Sequence, residues 1–271
     1  MFEHLTWLLP ALRESYKSRD EAKDAWSKIF GKKRIVFTGL SGVGKTVLLD
    51  FLSGKGFEQG YQPPKPSQSV ETGKLSKTLK KEKPRMAISV IPGQDDSPRL
   101  QRLDEIFLGK KGVDGVIHVV SNGFIEVRSP EARNLLIKED NLQTIEQFRQ
   151  YQLKKEFADL NETCEIIRKS IHKHQKPKWL LVAVTKVDLF YDKLSEAKEC
   201  YSPSGKSKFA RRLKDLQIQV GTDNFRWETV PVCTWLKDFE WNNEKQPSVL
   251  KVEERDHLIA NFAEEIANYS K

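Results

Sequence analysis

The sequence predicts an α/β fold in which a mainly parallel central sheet is flanked by helices. Three observations predict it. Short apolar runs, Arg34–Thr38, Gly115–Val120, Trp179–Val184 and Thr229–Val232, read as buried strands. Stretches with apolar residues at helical spacing separate them. A glycine-rich loop, Gly39–Thr46, follows the first run at once and opens onto a further helical stretch. Strands alternating with helices form a sheet covered on both faces, with ligands at the carboxyl ends of the strands.

Residues 11 to 30 carry Leu12, Tyr16, Ala22, Ala25, Trp26 and Ile29 at helical spacing, which predicts an N-terminal helical extension over 1–32. Beyond the glycine-rich loop, Val47, Leu48, Phe51 and Leu52 predict a helix ending near Gly54. Residues 55–73 are rich in Gly, Pro, Gln and Ser and read as a loop. Residues 74–91 suggest a hairpin with its turn at Lys80–Pro84 and its more buried arm at Met86–Ile91. A charged helical stretch is expected after Val120. From Leu142 the apolar spacing through Ile145, Phe148, Leu160, Cys164, Ile167 and Ile171 predicts a long helix that Pro177 ends. Lys208–Gln219 and 251–269 read as two more amphipathic helices. The main domain is expected to span 33–271, with helical insertions at about 124–176 and 191–228.

With 271 residues the chain can bury a full core. The formal charge of +8 is a mild basic excess, spread along most of the sequence, and reads as a solvated surface. Cys164, Cys200 and Cys233 are widely spaced and odd in number, which argues against a disulfide framework or a zinc site. No run approaches the ~18 apolar residues of a transmembrane helix. Met1–Pro10 has an apolar cluster without a basic leader, so a cytoplasmic protein is expected.

The loop Gly39-Leu40-Ser41-Gly42-Val43-Gly44-Lys45-Thr46 suits a phosphate cluster. Several negative charges need many donors within a few ångströms, and backbone N–H groups crowd that closely only where side chains do not intrude. Gly39, Gly42 and Gly44 supply such backbone around Ser41 and Val43. The following helix points its N-terminal donors, through Val47, and its positive dipole end at the anion. Lys45 would reach the β and γ phosphates, and the Thr46 hydroxyl would hold Mg²⁺. By contrast, Gly205-Lys206-Ser207 has Cys200 where the upstream glycine belongs and no strand before it, and reads as an ordinary loop.

Thr185-Lys186-Val187-Asp188 follows directly on the strand ending at Val184. An aspartate there can accept from guanine N1–H and the 2-amino group, which adenine does not offer. In combination with Gly39–Thr46 this points to GTP.

On these two motifs the chain resembles the Ras-like small GTPases of the translation-factor-related class of P-loop proteins, over roughly residues 33 to 270. The resemblance implies that Lys186 and Asp188 hold guanine, and that a backbone contact near Cys233–Thr234 adds to them. It implies that Gly93 and Gln94, in Val90-Ile91-Pro92-Gly93-Gln94, sense the γ phosphate, with Gln94 orienting a water. Val90 replaces the aspartate that holds Mg²⁺ through water in the family. A hydroxyl in the first mobile loop would bind Mg²⁺, with Ser69 the first choice and Thr72 the second. Asp95 and Asp96 read as helix caps, and Arg99 and Arg102 as helix-surface residues.

The expected function is a GTP-binding switch that hydrolyses GTP to GDP slowly or with a stimulating partner, and that engages a protein effector or activator. One alternative is a constitutive guanine-nucleotide-binding module. Another is an ATP-using P-loop enzyme, which Asp188 disfavours. A third is an RNA- or ribosome-associated GTPase, motivated by Lys74–Arg85, by Lys154, Lys155, Arg168, Lys169 and Lys173, and by Lys206–Lys214. Aromatic residues for base stacking are not interleaved with these clusters, so direct nucleic-acid binding is not favoured.

Overall fold

The computed structural model describes residues 33–64, 71–73, 87–90 and 97–270. The N-terminal extension, the turn at Lys80–Pro84, Asp95 and Asp96 lie outside them. So do three expected site residues, Ser69, Gly93 and Gln94.

Six strands form one sheet: β1 (Arg34–Thr38), β2 (Glu71–Gly73), β3 (Ala87–Val90), β4 (Gly115–Val120), β5 (Trp179–Val184) and β6 (Arg226–Pro231). Their order across the sheet is β2-β3-β1-β4-β5-β6. All neighbours pair in parallel except β2, which runs antiparallel on the β3 edge, with Thr72 opposite Ser89. The mainly parallel sheet is as expected. The arm that pairs with β3 comes earlier than expected, at Glu71–Gly73. β6 begins three residues before the expected Thr229, because the edge position leaves Arg226 exposed and hides the apolar run.

Seven α-helices among the described residues cover the sheet: α1 (Lys45–Leu52), α2 (Ser97–Leu108), α3 (Pro130–Lys138), α4 (Ile145–His174), α5 (Leu194–Tyr201), α6 (Lys208–Val220) and α7 (Val252–Ser270). Every residue of β4 and β5 is buried, because helices close both faces. On one face Val116, Val120, Leu180 and Val182 meet α2, α4, α5 and α6. On the other, Ile117, Val119, Leu181 and Ala183 meet α1 and α7. This alternation follows from the two-residue period of a strand.

Local chemistry sets the helix ends. Thr144 and Gln147 form a reciprocal capping box at the start of α4, and Ser129 and Ser207 accept from Ala132 and Ala210 at the starts of α3 and α6. Thus Gly205-Lys206-Ser207 is indeed a loop that leads into a helix cap. A hairpin of β7 (Phe239–Trp241) and β8 (Glu244–Gln246) sits between β6 and α7. It braces α4: Trp241 stacks on Phe148 and donates to Leu142 O, and Glu244 accepts from the Ile145 amide.

The charged helical stretch expected after Val120 is α3, entered through a tight loop with Asn122 and Gly123 at positive φ. One expectation is corrected: α4 does not bury a purely apolar face. Arg149, Gln152, Glu156, Asp159 and Thr163 are buried along it with Phe148, Leu160 and Cys164. Arg149, Glu156 and Asp159 find partners on other elements, at Asn122, Ser121 and Arg99, so charge and periodicity along the helix do not reveal their burial.

Candidate functional site

The carboxyl ends of β1, β4, β5 and β6 converge on one edge of the sheet. There the structure brings together Gly39–Thr46, the loop Ser121–Glu126, Thr185–Asp188 and Cys233–Thr234.

The glycine-rich loop is shaped by what crowds it. A Cβ on Gly39 (φ +125) would lie 2.2 Å from Val119 O, and one on Gly42 (φ +83) would lie 2.5 Å from Glu126 O. Only glycine fits these places. Lys45 Nζ donates to Gly39 O and Leu40 O, each at 2.7 Å, so the amine closes over its own loop. Gly44 caps α1 without a side-chain hydrogen bond. The first-turn amides of α1 therefore face the loop with no capping side chain, as an anion at a helix N-terminus requires. Ser41 is exposed and Val43 fully buried, with Val47 in the core beneath the first turn.

Thr46 is half-buried in that first turn, and its hydroxyl makes no hydrogen bond among the described residues. Such a hydroxyl, next to amides that suit a phosphate, fits a Mg²⁺ ligand. No acidic side chain stands in that turn. Among the described residues no group of three His, Cys, Asp or Glu could hold a metal by itself. A cation here would depend on phosphate oxygens for the rest of its shell. β3 ends at Val90, paired with Phe37 of β1, so the strand tip beside the loop ends on an apolar residue.

The second motif lies against the first. Thr185 Oγ1 donates to Val43 O at 2.7 Å and to Val120 O at 2.9 Å. Lys186, at φ 57, donates from Nζ to Gly42 O at 3.1 Å and to Phe124 O at 2.6 Å. Burial holds the Lys186 amine down to about 8, against the pull of Glu126 and Asp188. Asp188 is 1% exposed. Its Oδ1 accepts from Cys233 Sγ at 3.1 Å, and Oδ2 is buried. Burial raises the Asp188 carboxyl above its usual range, and hydrogen bonds from the Ser248 hydroxyl and the Cys233 thiol, with the Lys186 charge, work against that rise. Burial and the neighbouring Asp188 charge push the Cys233 thiol well up, which keeps its proton on sulfur as the donor. Thr234 is buried beside it.

Sequence reasoning missed the loop after β4. Glu126 donates its amide to Gly42 O at 3.4 Å, and its carboxylate meets Lys237 at 3.1 Å and Arg128 at 3.2 Å. Burial opposes ionisation of Glu126, but Lys237, Lys186 and Arg128 hold its carboxyl below the usual range. The Asn122-Gly123 pair was the readable signal, since it marks a turn.

A buried polar group backs the site. The Thr38 hydroxyl and His118 Nδ1 share a hydrogen bond of 2.9 Å, and His118 Nε2 is 3.8 Å from Asp159. Burial first, then the Arg99 and Lys45 charges, hold His118 down to about 3, so the ring is neutral. Arg99, expected on a helix surface, is instead 3% exposed and paired with Asp159 and with Glu162. Glu156 accepts from the Ser121 amide at 2.9 Å, the Gly123 amide at 3.2 Å and Tyr201 Oη at 2.6 Å.

Neither a protein-family model nor a curated protein matches the chain. Solved structures do. The chain is similar to an ADP-ribosylation-factor-like GTP-binding protein, the small COPII coat GTPase SAR1 from Encephalitozoon cuniculi in complex with GDP, at 12% identity and a TM-score of 0.41, covering 91% of this chain and 87% of that one. It is also similar to the signal recognition particle receptor SRb from Chaetomium thermophilum. In the SRb-GTP/SRX complex the identity is 16% and the TM-score 0.44, over 75% of this chain and 91% of that one. In the SRb-GDP structure they are 13% and 0.39, over 77% and 92%. Likeness at this level assigns no family.

Proposed function

We propose that this chain binds GTP with Mg²⁺ at the edge formed by Gly39–Thr46 and Thr185–Asp188, and works as a nucleotide-dependent switch. The observation that carries the reading is the Lys186–Gly42 contact, which joins two motifs 144 residues apart into one site. In this reading the loop amides and Lys45 hold the phosphates, and Asp188 takes the donors of the guanine edge. Asp188 supplies the carboxylate acceptor that role needs, with Cys233 donating to its Oδ1. Thr46 would hold Mg²⁺, which neutralises charge on the phosphates when bound.

Hydrolysis would be slow without a partner. Gln94 would orient the attacking water, and Ser69 would complete the metal shell when the γ phosphate is present. A protein effector or activator would read the two states. The basic cluster at Lys206–Lys214 gives little support to an RNA partner. Arg212 is held by Asn161 and Glu165, Lys214 by Gly205 O, and Arg211 by Ser207 O.

The purified protein should carry GDP or GTP, identified by chromatography after denaturation. Single-turnover phosphate release from GTP should be lost in Lys45→Ala and reduced in Gln94→Ala. Release unchanged by Lys45→Ala would mean that the activity is not this protein's. A second reading, a constitutive guanine-nucleotide module, is favoured by β3 ending in Val90 rather than a carboxylate. Bound GTP with no release over many hours would select it.

A further inference from the structure

Three segments meet at the edge of the candidate site: residues 61–64 after α1, 121–128 after β4 and 233–237 after β6. Each touches the other two. The Tyr61 ring meets the Trp235 ring edge-on, with centroids 5.8 Å apart. Arg128 Nη1 donates to Pro64 O at 3.1 Å. Lys237 Nζ donates to Glu126 Oε1 at 3.1 Å. The three contacts form a closed belt. One carboxylate sits at its centre, because Arg128 Nε also donates to Glu126 Oε2 at 3.2 Å.

The contacts differ in kind. Tyr61 is anchored in the fold: its hydroxyl donates to Asp50 at 2.9 Å and its ring meets Phe51 at 5.6 Å. The Glu126 contacts lie outside. The Lys237 side chain is 64% exposed and that of Glu126 41%. Exposed pairs hold weakly and are screened by salt. The Glu126 backbone, by contrast, is pressed against Gly42, whose carbonyl accepts from its amide. The ion pairs can therefore open while the glycine-rich loop stays in place. A ligand joining Gly39–Thr46 to Asp188 lies beside this belt, since Glu126 touches Gly42 and Cys233 touches Asp188. A carboxylate at the rim of a phosphate site would repel the ligand, and Lys237 and Arg128 offset that charge.

We propose that Glu126 is a positioning residue for the bound nucleotide: its pairs with Lys237 and Arg128 close the belt beside the ligand, and their opening sets how fast the ligand leaves. This rests on the guanine-nucleotide reading above.

The test is the release of tritiated GDP into excess unlabelled GDP, followed by filter binding, on the full chain. The wild type is compared with Glu126→Gln, Lys237→Met, Arg128→Met and the double variants that contain Glu126→Gln. Glu126→Gln should release GDP about fivefold faster, and Lys237→Met and Arg128→Met about twofold faster each, the scale of exposed ion pairs. In the Glu126→Gln background the other two should add nothing, because their partner charge is already gone. Raising salt from about 0.1 M to about 1 M should speed release from the wild type more than from Glu126→Gln. Melting temperatures should stay together. Unchanged or slower release in Glu126→Gln, full additivity of the double variants, or equal salt dependence overturns the assignment. So does a melting temperature lowered by several degrees in Glu126→Gln, since faster release would then report a loosened fold. The two failures are distinct: a wild type that retains no GDP removes the guanine-nucleotide reading, whereas one that retains it and releases it as Glu126→Gln does removes only the role of Glu126.

Discussion

Lys186 Nζ bridges the carbonyls of Gly42 and Phe124, so a single amine ties the glycine-rich loop to the segment after β4. Lys186→Met keeps the aliphatic stem and removes the donor. Each carbonyl left unpaired costs about 1–3 kcal/mol. GTP affinity should fall at least about tenfold, and the melting temperature by several degrees. Calorimetric titration and thermal unfolding measure the two effects.

Gly42→Ala tests the shape of the loop. The added carbon would meet Glu126 O at 2.5 Å, on backbone with positive φ. Backbone cannot move aside as a flexible side chain can. Strain of about 1–3 kcal/mol is expected from the backbone conformation alone, with loss of nucleotide binding even where the fold survives. A variant that binds GTP as tightly as the wild type would mean that the loop rearranges freely.

Asp188→Asn exchanges an acceptor for a donor where the guanine donors would arrive. GTP should weaken by about a hundredfold or more, while xanthosine triphosphate, which offers a matching acceptor, gains. Competition between the two triphosphates reads this directly. Retained GTP selectivity would remove Asp188 from base recognition.

His118 predicts a pH dependence. Its pKa is about 3 in the fold and about 6.5 in an unfolded chain. Between these values the unfolded state binds a proton that the native state refuses, so stability is full above about pH 6.5 and declines as pH falls toward 3. Burial raises the Glu156 pKa and acts with the opposite sign, but it acts equally in a His118→Gln variant. The stability difference between wild type and His118→Gln should therefore change by about 2 kcal/mol between pH 6.5 and 5. Urea unfolding at the two pH values measures it.

Glu156→Ala strands the Ser121 and Gly123 amides and the Tyr201 hydroxyl at once. A loss of about 3–5 kcal/mol is expected. Glu156→Gln, which keeps an acceptor for part of the set, should lose less. Equal losses in the two variants would point to packing rather than hydrogen bonding.

What could be read in advance follows from locality. β1, β4 and β5 are continuous apolar runs because both faces are covered, and α4 shows in its apolar spacing from Ile145 to Ile171. The loop Gly39–Thr46 and Thr185–Asp188 are contiguous in sequence, so their chemistry is legible without a fold. Arg99 was not legible, because its burial is caused by Asp159 and Glu162, about sixty residues away. β7 and β8 are three residues each, too short for any period to show.

The polar stripe on α4 has a mechanical consequence. Leucines and phenylalanines alone would let a helix slip by a turn, about 5.4 Å, and find similar partners. Arg149, Glu156, Asp159 and Ser170 bind the Asn122 carbonyl, the Ser121 and Gly123 amides, Arg99 and the Phe107 carbonyl. A slip would break all of these together. The helix of about 45 Å is thus keyed like a shaft in a slot. It resists sliding between the layers, and so fixes the distance between α2, held at Ser170, and the loop beside Gly42, held at Glu156.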